Sequence, residues 1–183
     1  KKMPAIVEYM SSLRNEVATP VELSEEFKLS HAQAVRLIVY QELVRREKAK
    51  VGDSLRGELA EDPAIAASFL SSDLMWQPTE RFAVVFLDIK HQIIGKKVVS
   101  VGTQSECLAD PKVIFRAAIK MGAQRVIVAH NHPSGSLEPS DADISLTVAL
   151  LEAGKILNCF VLDHLVLGNG DFLSIRQTTS LWI

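Results

Sequence analysis

A chain of 183 residues with 48% hydrophobic content can bury a core, and its formal net charge of −2 provides no global pull toward nucleic acid. No apolar run approaches the roughly 20 residues that span a bilayer, and the start lacks a basic-then-apolar signal pattern, so a cytoplasmic protein is expected. The two cysteines, Cys107 and Cys159, make no CxxC pair; buried free thiols are expected rather than a disulfide framework.

The first 62 residues read as a small helical module. Apolar residues at helical spacing (Ile6, Val7, Met10, Leu13) predict a helix over Pro4 to Leu13, Thr19-Pro20 starts a second, and Ser30 caps a third through Val35, Leu37, Ile38, Leu43 and Val44. Gly52-Asp53-Ser54 and Gly57 are expected to break it. Lys28, Arg36, Arg45, Arg46, Lys48 and Lys50 outnumber acids in this stretch, a pattern read as a solvated helix face. The second domain is expected over 63–183, opening with a helix from Asp62-Pro63 through Ile65, Phe69 and Leu70 that ends before Pro78.

From Phe82 the period changes. Phe82-Ala83-Val84-Val85-Phe86-Leu87 suits a buried strand, with Ile93 to Val101 as its hairpin partner across Lys90-His91-Gln92. Asp110-Pro111 begins a helix carrying Ile114, Phe115, Ala118 and Met121, which Gly122 closes. A strand over Val126 to His130, a helix from Ser140 to about Lys155 and a strand from Cys159 to Leu167 follow. Gly168-Asn169-Gly170-Asp171 then turns into Phe172 to Ile175 as a hairpin. Strands interspersed with helices make an α/β (α+β) layered domain.

Between the Val126 strand and the Ser140 helix lies the chemistry. Residues two apart on an extended chain share a face, so His130 and His132 can offer two imidazoles to one ion while Asn131 points away. Ser140 reads as a helix N-cap with Asp143 three residues on, poised to supply an oxygen. Two nitrogens and a carboxylate leave the fourth position of a tetrahedral Zn²⁺ to water, whose pKa falls from about 15.7 toward roughly 7 in such sites. Ser140 and Asp143 also match a capping box with Asp for the usual Glu; the cap and the ligand can coexist. The three consecutive residues His130-Asn131-His132 do not make an HNH nuclease, whose residues are dispersed.

Here the chain resembles the JAMM metalloprotease family, also called MPN-plus or JAB, whose motif is His-x-His-Pro, six residues, Ser-x-x-Asp. Ala129-His130-Asn131-His132-Pro133-Ser134-Gly135 and Asp163-His164-Leu165-Val166-Leu167-Gly168 are similar to signatures of its RadC branch, and the resemblance covers about residues 71–183. It implies a three-layer domain with a central mixed sheet. It also implies a base from a Glu at the start of an early strand, which Glu80 matches, with Glu106 competing. Finally, it implies oxyanion stabilisation by the Ser140 hydroxyl. Asn131, Ser134 and Ser136 are expected to shape the loop or orient ligands. His164 is expected either to support the site or to be a hydrogen-bonded core residue, and His31 and His91 to lie at the surface.

The implied activity is zinc-dependent hydrolysis of a peptide or isopeptide bond in a protein or peptide substrate, a ubiquitin-like conjugate among them. The competing expectation is a DNA-associated accessory role in repair, recombination or mobile-element defence. Leu29 to Leu37 resembles half of a helix-hairpin-helix, but the Gly-x-Gly hairpin that would bring backbone N–H groups to phosphate is missing, so DNA binding is expected to be weak or absent.

Overall fold

The computed structural model describes residues 6, 9, 19–102 and 109–182, the side chains of 41 and 44–54 excepted. The chain divides into two compact units, Lys1–Lys50 and Val51–Ile183. Among the described residues no helix is long and apolar enough to cross a membrane.

In the first unit, helix α1 spans Pro20–Phe27. Thr19 caps it reciprocally with Glu22: the Glu22 N–H donates to Thr19 Oγ1 (3.2 Å) and the Thr19 N–H to Glu22 Oε2 (2.7 Å). Helix α2 spans His31–Ser54, and Ser30 and Gln33 repeat the device at its start. Leu23 and Ala34 are buried here, with Tyr9, Phe27, Leu37 and Ile38 packed against them. The expected helix over Pro4 to Leu13 lies outside the described residues except Ile6 and Tyr9, both helical. The expected break at Gly52-Asp53-Ser54 does not occur, since α2 runs through Gly52 to Ser54. A single glycine costs a helix only about 1 kcal/mol. The chain turns instead at Gly57, whose φ of +92° suits a residue without Cβ.

In the second unit, the segment after α2 lies along a strand. The Gly57 N–H donates to Ile93 O (2.8 Å), the Ile93 N–H to Glu58 O (2.9 Å) and the Ala60 N–H to His91 O (2.9 Å). Helix α3 (Pro63–Leu74) follows, capped by the Asp62 carboxylate. Strands β1 (Arg81–Leu87) and β2 (Ile93–Val101) form the expected hairpin. Its turn is held by Asp88 Oδ1, which accepts from the Lys90 and Gln92 N–H groups at 2.8 and 2.9 Å. Then come α4 (Pro111–Met121), β3 (Arg125–Asn131), α5 (Asp141–Leu157), β4 (Phe160–Gly168), β5 (Asp171–Ser174) and the short α6 (Ile175–Thr178). Asn169 and Gly170, with φ of +52° and +84°, make the β4–β5 turn, as the Asn-Gly pair predicts.

The five strands form one mixed sheet in the order β2-β1-β3-β4-β5, parallel only between β3 and β4. The continuous apolar run of β1 is explained by burial on both faces. Ala83, Val85 and Leu87 point into a core with Ala66, Phe69, Leu70 and Leu74 of α3. Phe82, Val84 and Phe86 point the other way, toward Ile114, Phe115 and Ala118 of α4 and Leu150 of α5. The result is the expected three-layer α+β domain, helix on sheet on helices.

The loop after β3 lies tightly against the end of β4. A Cβ built on Gly168 would stand 2.7 Å from Gly135 O and 2.9 Å from Gly135 C, and both are backbone atoms that cannot swing aside. Gly168→Ala is therefore expected to destabilise the fold by about 1–3 kcal/mol, the usual cost of overpacking, with weaker metal binding through the displaced loop. Denaturant unfolding checks this; wild-type stability in the variant would contradict the close approach.

Candidate metal centre

Strand β3 and the residue that follows it deliver the two imidazoles. His130 is its penultimate residue, and the His132 N–H extends the β3–β4 ladder by donating to Leu167 O at 3.1 Å. The extended chain through 132 keeps the two side chains on one face, and Nε2 of His130 lies 3.0 Å from Nε2 of His132. Gly135 (φ +82°) turns the chain, its N–H donating to His132 O, and the loop returns at the start of α5. There Ser140 is the N-cap and Asp143 the third helical residue, with the reciprocal capping box present.

Asp143 thus both caps the helix and faces the histidines. Its Oδ2 accepts from the Ser140 N–H (2.7 Å) and Oγ–H (2.6 Å). Oδ1 lies 3.2 Å from His130 Nε2, and Oδ2 lies 3.5 Å from His132 Nε2. One ligand atom from each of the three residues falls within 4.8 Å of the others. Around one tetrahedral zinc with bonds of about 2.0–2.1 Å, the donor atoms would stand roughly 3.3 Å apart. His130 Nε2 meets that spacing to both neighbours, at 3.0 Å from His132 Nε2 and 3.2 Å from Asp143 Oδ1.

Tautomer chemistry gives a second test of fit. The His132 Nδ1 sits 3.0 Å from Ser136 O, and a carbonyl only accepts, so Nδ1 carries the hydrogen and Nε2 of the neutral ring presents its lone pair inward. Two imidazole nitrogens and a carboxylate make a donor set able to hold a divalent transition-metal ion. The His130 side chain is 0% exposed, against 16% for His132 and 12% for Asp143, so the cluster opens to water on the His132 side.

Burial and charge pull against each other at this cluster. Burial alone would raise the Asp143 carboxyl, but its contacts with the His130 and His132 rings and its hydrogen bonds from Ser140 hold it far below the usual carboxylate range. The same carboxylate raises the His132 pKa. Burial pushes the Glu80 pKa up; the Asp143 charge pushes the same way and the charges of His130 and His132 oppose it. Glu80 therefore shares the electrostatic neighbourhood of the cluster. Register places it there, since Phe82 pairs directly with His130 across β1 and β3.

Asn131 holds that neighbourhood in place. It is 3% exposed. Its Oδ1 accepts from the Arg81 N–H at 2.8 Å, and its Nδ2 donates to Thr79 O at 3.2 Å, so backbone on both sides of Glu80 is tied to β3. Ser140, expected as an oxyanion donor, points its hydroxyl hydrogen at Asp143 Oδ2. Glu106 and Cys107 lie outside the described residues. Cys159 is a buried free thiol apart from the cluster, and His31 is exposed and His91 half-buried. His164 is wholly buried, and burial holds its pKa well below the ordinary value; it also contacts His130 Nδ1 at 2.9 Å, so it is at once a core residue and part of the site. Sequence reasoning passed over Thr147, which touches His164 at 2.7 Å, although its place one turn after Asp143 is a same-face signal. Asp163 next to His164 serves the scaffold, accepting from Ser174 Oγ at 2.7 Å and the Arg176 N–H at 3.2 Å.

Residues 60–180 match the RadC-like JAB domain. The chain belongs to that family. It is 47% identical over 175 residues to the UPF0758 protein of Thermosynechococcus vestitus, covering 94% of this chain and 68% of that one. A UPF0758 protein of Acaryochloris marina is 59% identical over 122 residues, covering 67% and 50%. One from Trichodesmium erythraeum is 46% identical over 175 residues, covering 94% and 70%. The chain thus spans from half to 70% of the length of these relatives. Their name carries no activity, whereas this RadC-like JAB domain holds a His-His-Asp group able to bind a metal ion.

The purified chain is expected to carry about one metal ion, and the double variant His130→Ala/His132→Ala to lose most of it, because loss of two of three protein ligands has no local substitute. Elemental analysis of both proteins checks this. Unchanged metal content in the double variant would contradict the site.

Proposed function

We propose that the chain is a zinc metallopeptidase that hydrolyses a peptide or isopeptide bond in a protein substrate, a ubiquitin-like conjugate being one such bond. The observation that carries this reading is a three-ligand cluster, open on one side, with a partly buried carboxylate in its electrostatic field. Bound to His130, His132 and Asp143, zinc would supply Lewis acidity, acidifying a water and polarising a carbonyl oxygen.

The remaining steps fall to side chains. Glu80 takes the proton of the attacking water and returns it to the leaving amine. Its raised pKa brings it nearer to neutral pH, where a group can both accept and donate. Asn131 fixes the backbone on either side of Glu80, limiting how far the carboxylate wanders from the histidines. Ser140, by turning its hydroxyl from Asp143 Oδ2, donates to the oxygen on which negative charge develops. Its backbone N–H stays on Oδ2, so Asp143 keeps its orientation through that turn.

Glu80→Gln is expected to retain zinc and lose about 10²–10⁴-fold in cleavage rate, because an amide of the same shape cannot accept the proton. Glu106→Gln serves as control and is expected to cleave normally. Cleavage at the wild-type rate by Glu80→Gln with zinc bound would remove Glu80 from the mechanism.

A further inference from the structure

Behind the metal cluster, three hydrogen bonds run in series from α5 through β4 to β3. Thr147 Oγ1 lies 2.6 Å from Asp143 O and 2.7 Å from His164 Nδ1. His164 Nε2 lies 2.9 Å from His130 Nδ1. Thr147 and His164 are each 0% exposed, so no solvent completes or scrambles the series.

The direction of each bond follows from the one before. A carbonyl oxygen only accepts, so the single hydroxyl hydrogen of Thr147 goes to Asp143 O. Its Oγ1 then has only lone pairs to offer, and His164 Nδ1 must bring the hydrogen. The His164 ring is enclosed, with the Phe82 ring edge-on at 5.4 Å between centroids, a setting that disfavours an imidazolium. In the neutral ring Nε2 is bare and accepts. His130 Nδ1 must therefore donate, which leaves His130 Nε2 to face His132 and Asp143.

We propose that Thr147 and His164 are positioning residues forming a one-way hydrogen-bond relay that fixes His130 as the Nδ1–H tautomer, with Nε2 aimed as a ligand. The relay starts on the carbonyl of Asp143 itself, so one turn of α5 sets both the carboxylate ligand and, through Thr147, the ligand nitrogen of His130. The Phe82 ring, parallel to the His130 ring (interplanar angle 1°, centroids 6.0 Å apart), restrains the same imidazole from the β1 side. His132 reaches the same tautomer by a separate route through Ser136 O, so the two histidines can be tested apart. The relay's use in ligand binding rests on the metal reading above, while its hydrogen positions do not.

The test uses the full chain with ¹⁵N-labelled histidine, metal-free and zinc-loaded, and two variants, Thr147→Val and Thr147→Ser. Two-bond ¹H–¹⁵N spectra are expected to place hydrogens on Nδ1 of both His130 and His164 in the metal-free protein, and to leave them there when zinc binds. A hydrogen on His164 Nε2 would overturn the relay, whatever the metal does. Thr147→Val keeps shape and removes the acceptor. It is expected to let the His164 tautomer reverse and to weaken zinc binding about 10–100-fold, the usual range for a lost partner of a ligating histidine, whereas Thr147→Ser restores both. Chelator competition reads the affinity. Wild-type zinc affinity and tautomers in Thr147→Val would also overturn the relay. Should the spectra match while zinc fails to bind the wild-type cluster, the relay stands and the metal reading falls.

Discussion

Three candidate ligand atoms, one ring nitrogen each from His130 and His132 and a carboxylate oxygen of Asp143, are held within 4.8 Å of one another. Neutral imidazole lone pairs and a carboxylate repel at that distance unless a positive charge lies among them. Each group must therefore be gripped from behind, and each is. Ser136 O holds His132, His164 holds His130, and the Ser140 N–H and Oγ–H hold Asp143. Such outer bonds orient ligands and raise their basicity, so they belong to the site as much as the ligands do.

The sheet order follows from the same demand. Parallel pairing of β3 and β4 requires a crossover, here supplied by α5, so its N-terminus, carrying Ser140 and Asp143, lies over the ends of both strands. That helix start presents free N–H groups and a partial positive charge, which suit the Asp143 carboxylate. Antiparallel pairing of β1 with β3 brings the start of β1, with Glu80 just before it, beside the end of β3. Asn131, between the two histidine ligands, turns the opposite face of the strand into an anchor for that approach.

The metal cluster was legible in the sequence because it is local: one strand end, one loop and one helix start span residues 130–143, and period, cap and spacing report all three. The two-sided burial of β1 was legible for a similar reason, since an apolar run without alternation has to be covered on both faces. Gly52 misled because a helix tolerates a lone glycine, and only the positive φ at Gly57 forces a turn. The partnership of His164 with His130 crosses 34 positions. It exists only once β4 lies beside β3, and nothing in the local pattern distinguishes a core histidine from one that orients a ligand. Thr147 was hidden by its chemistry: a buried threonine in a helix reads as filler until the ring it faces is known. Asn131 showed its face through strand alternation, but not the segment it would clamp.

The central claim is that this cluster makes the chain a metal-dependent amide hydrolase. The most direct measurement is cleavage of a set of linear peptide and lysine-isopeptide substrates by three preparations: the chain freed of metal, the same chain reloaded with one zinc, and the reloaded His130→Ala/His132→Ala variant. Cleavage by the reloaded chain alone is the predicted result. Equal cleavage by the metal-free chain, or an intact substrate set in the presence of a chain shown to hold zinc at His130 and His132, would contradict it.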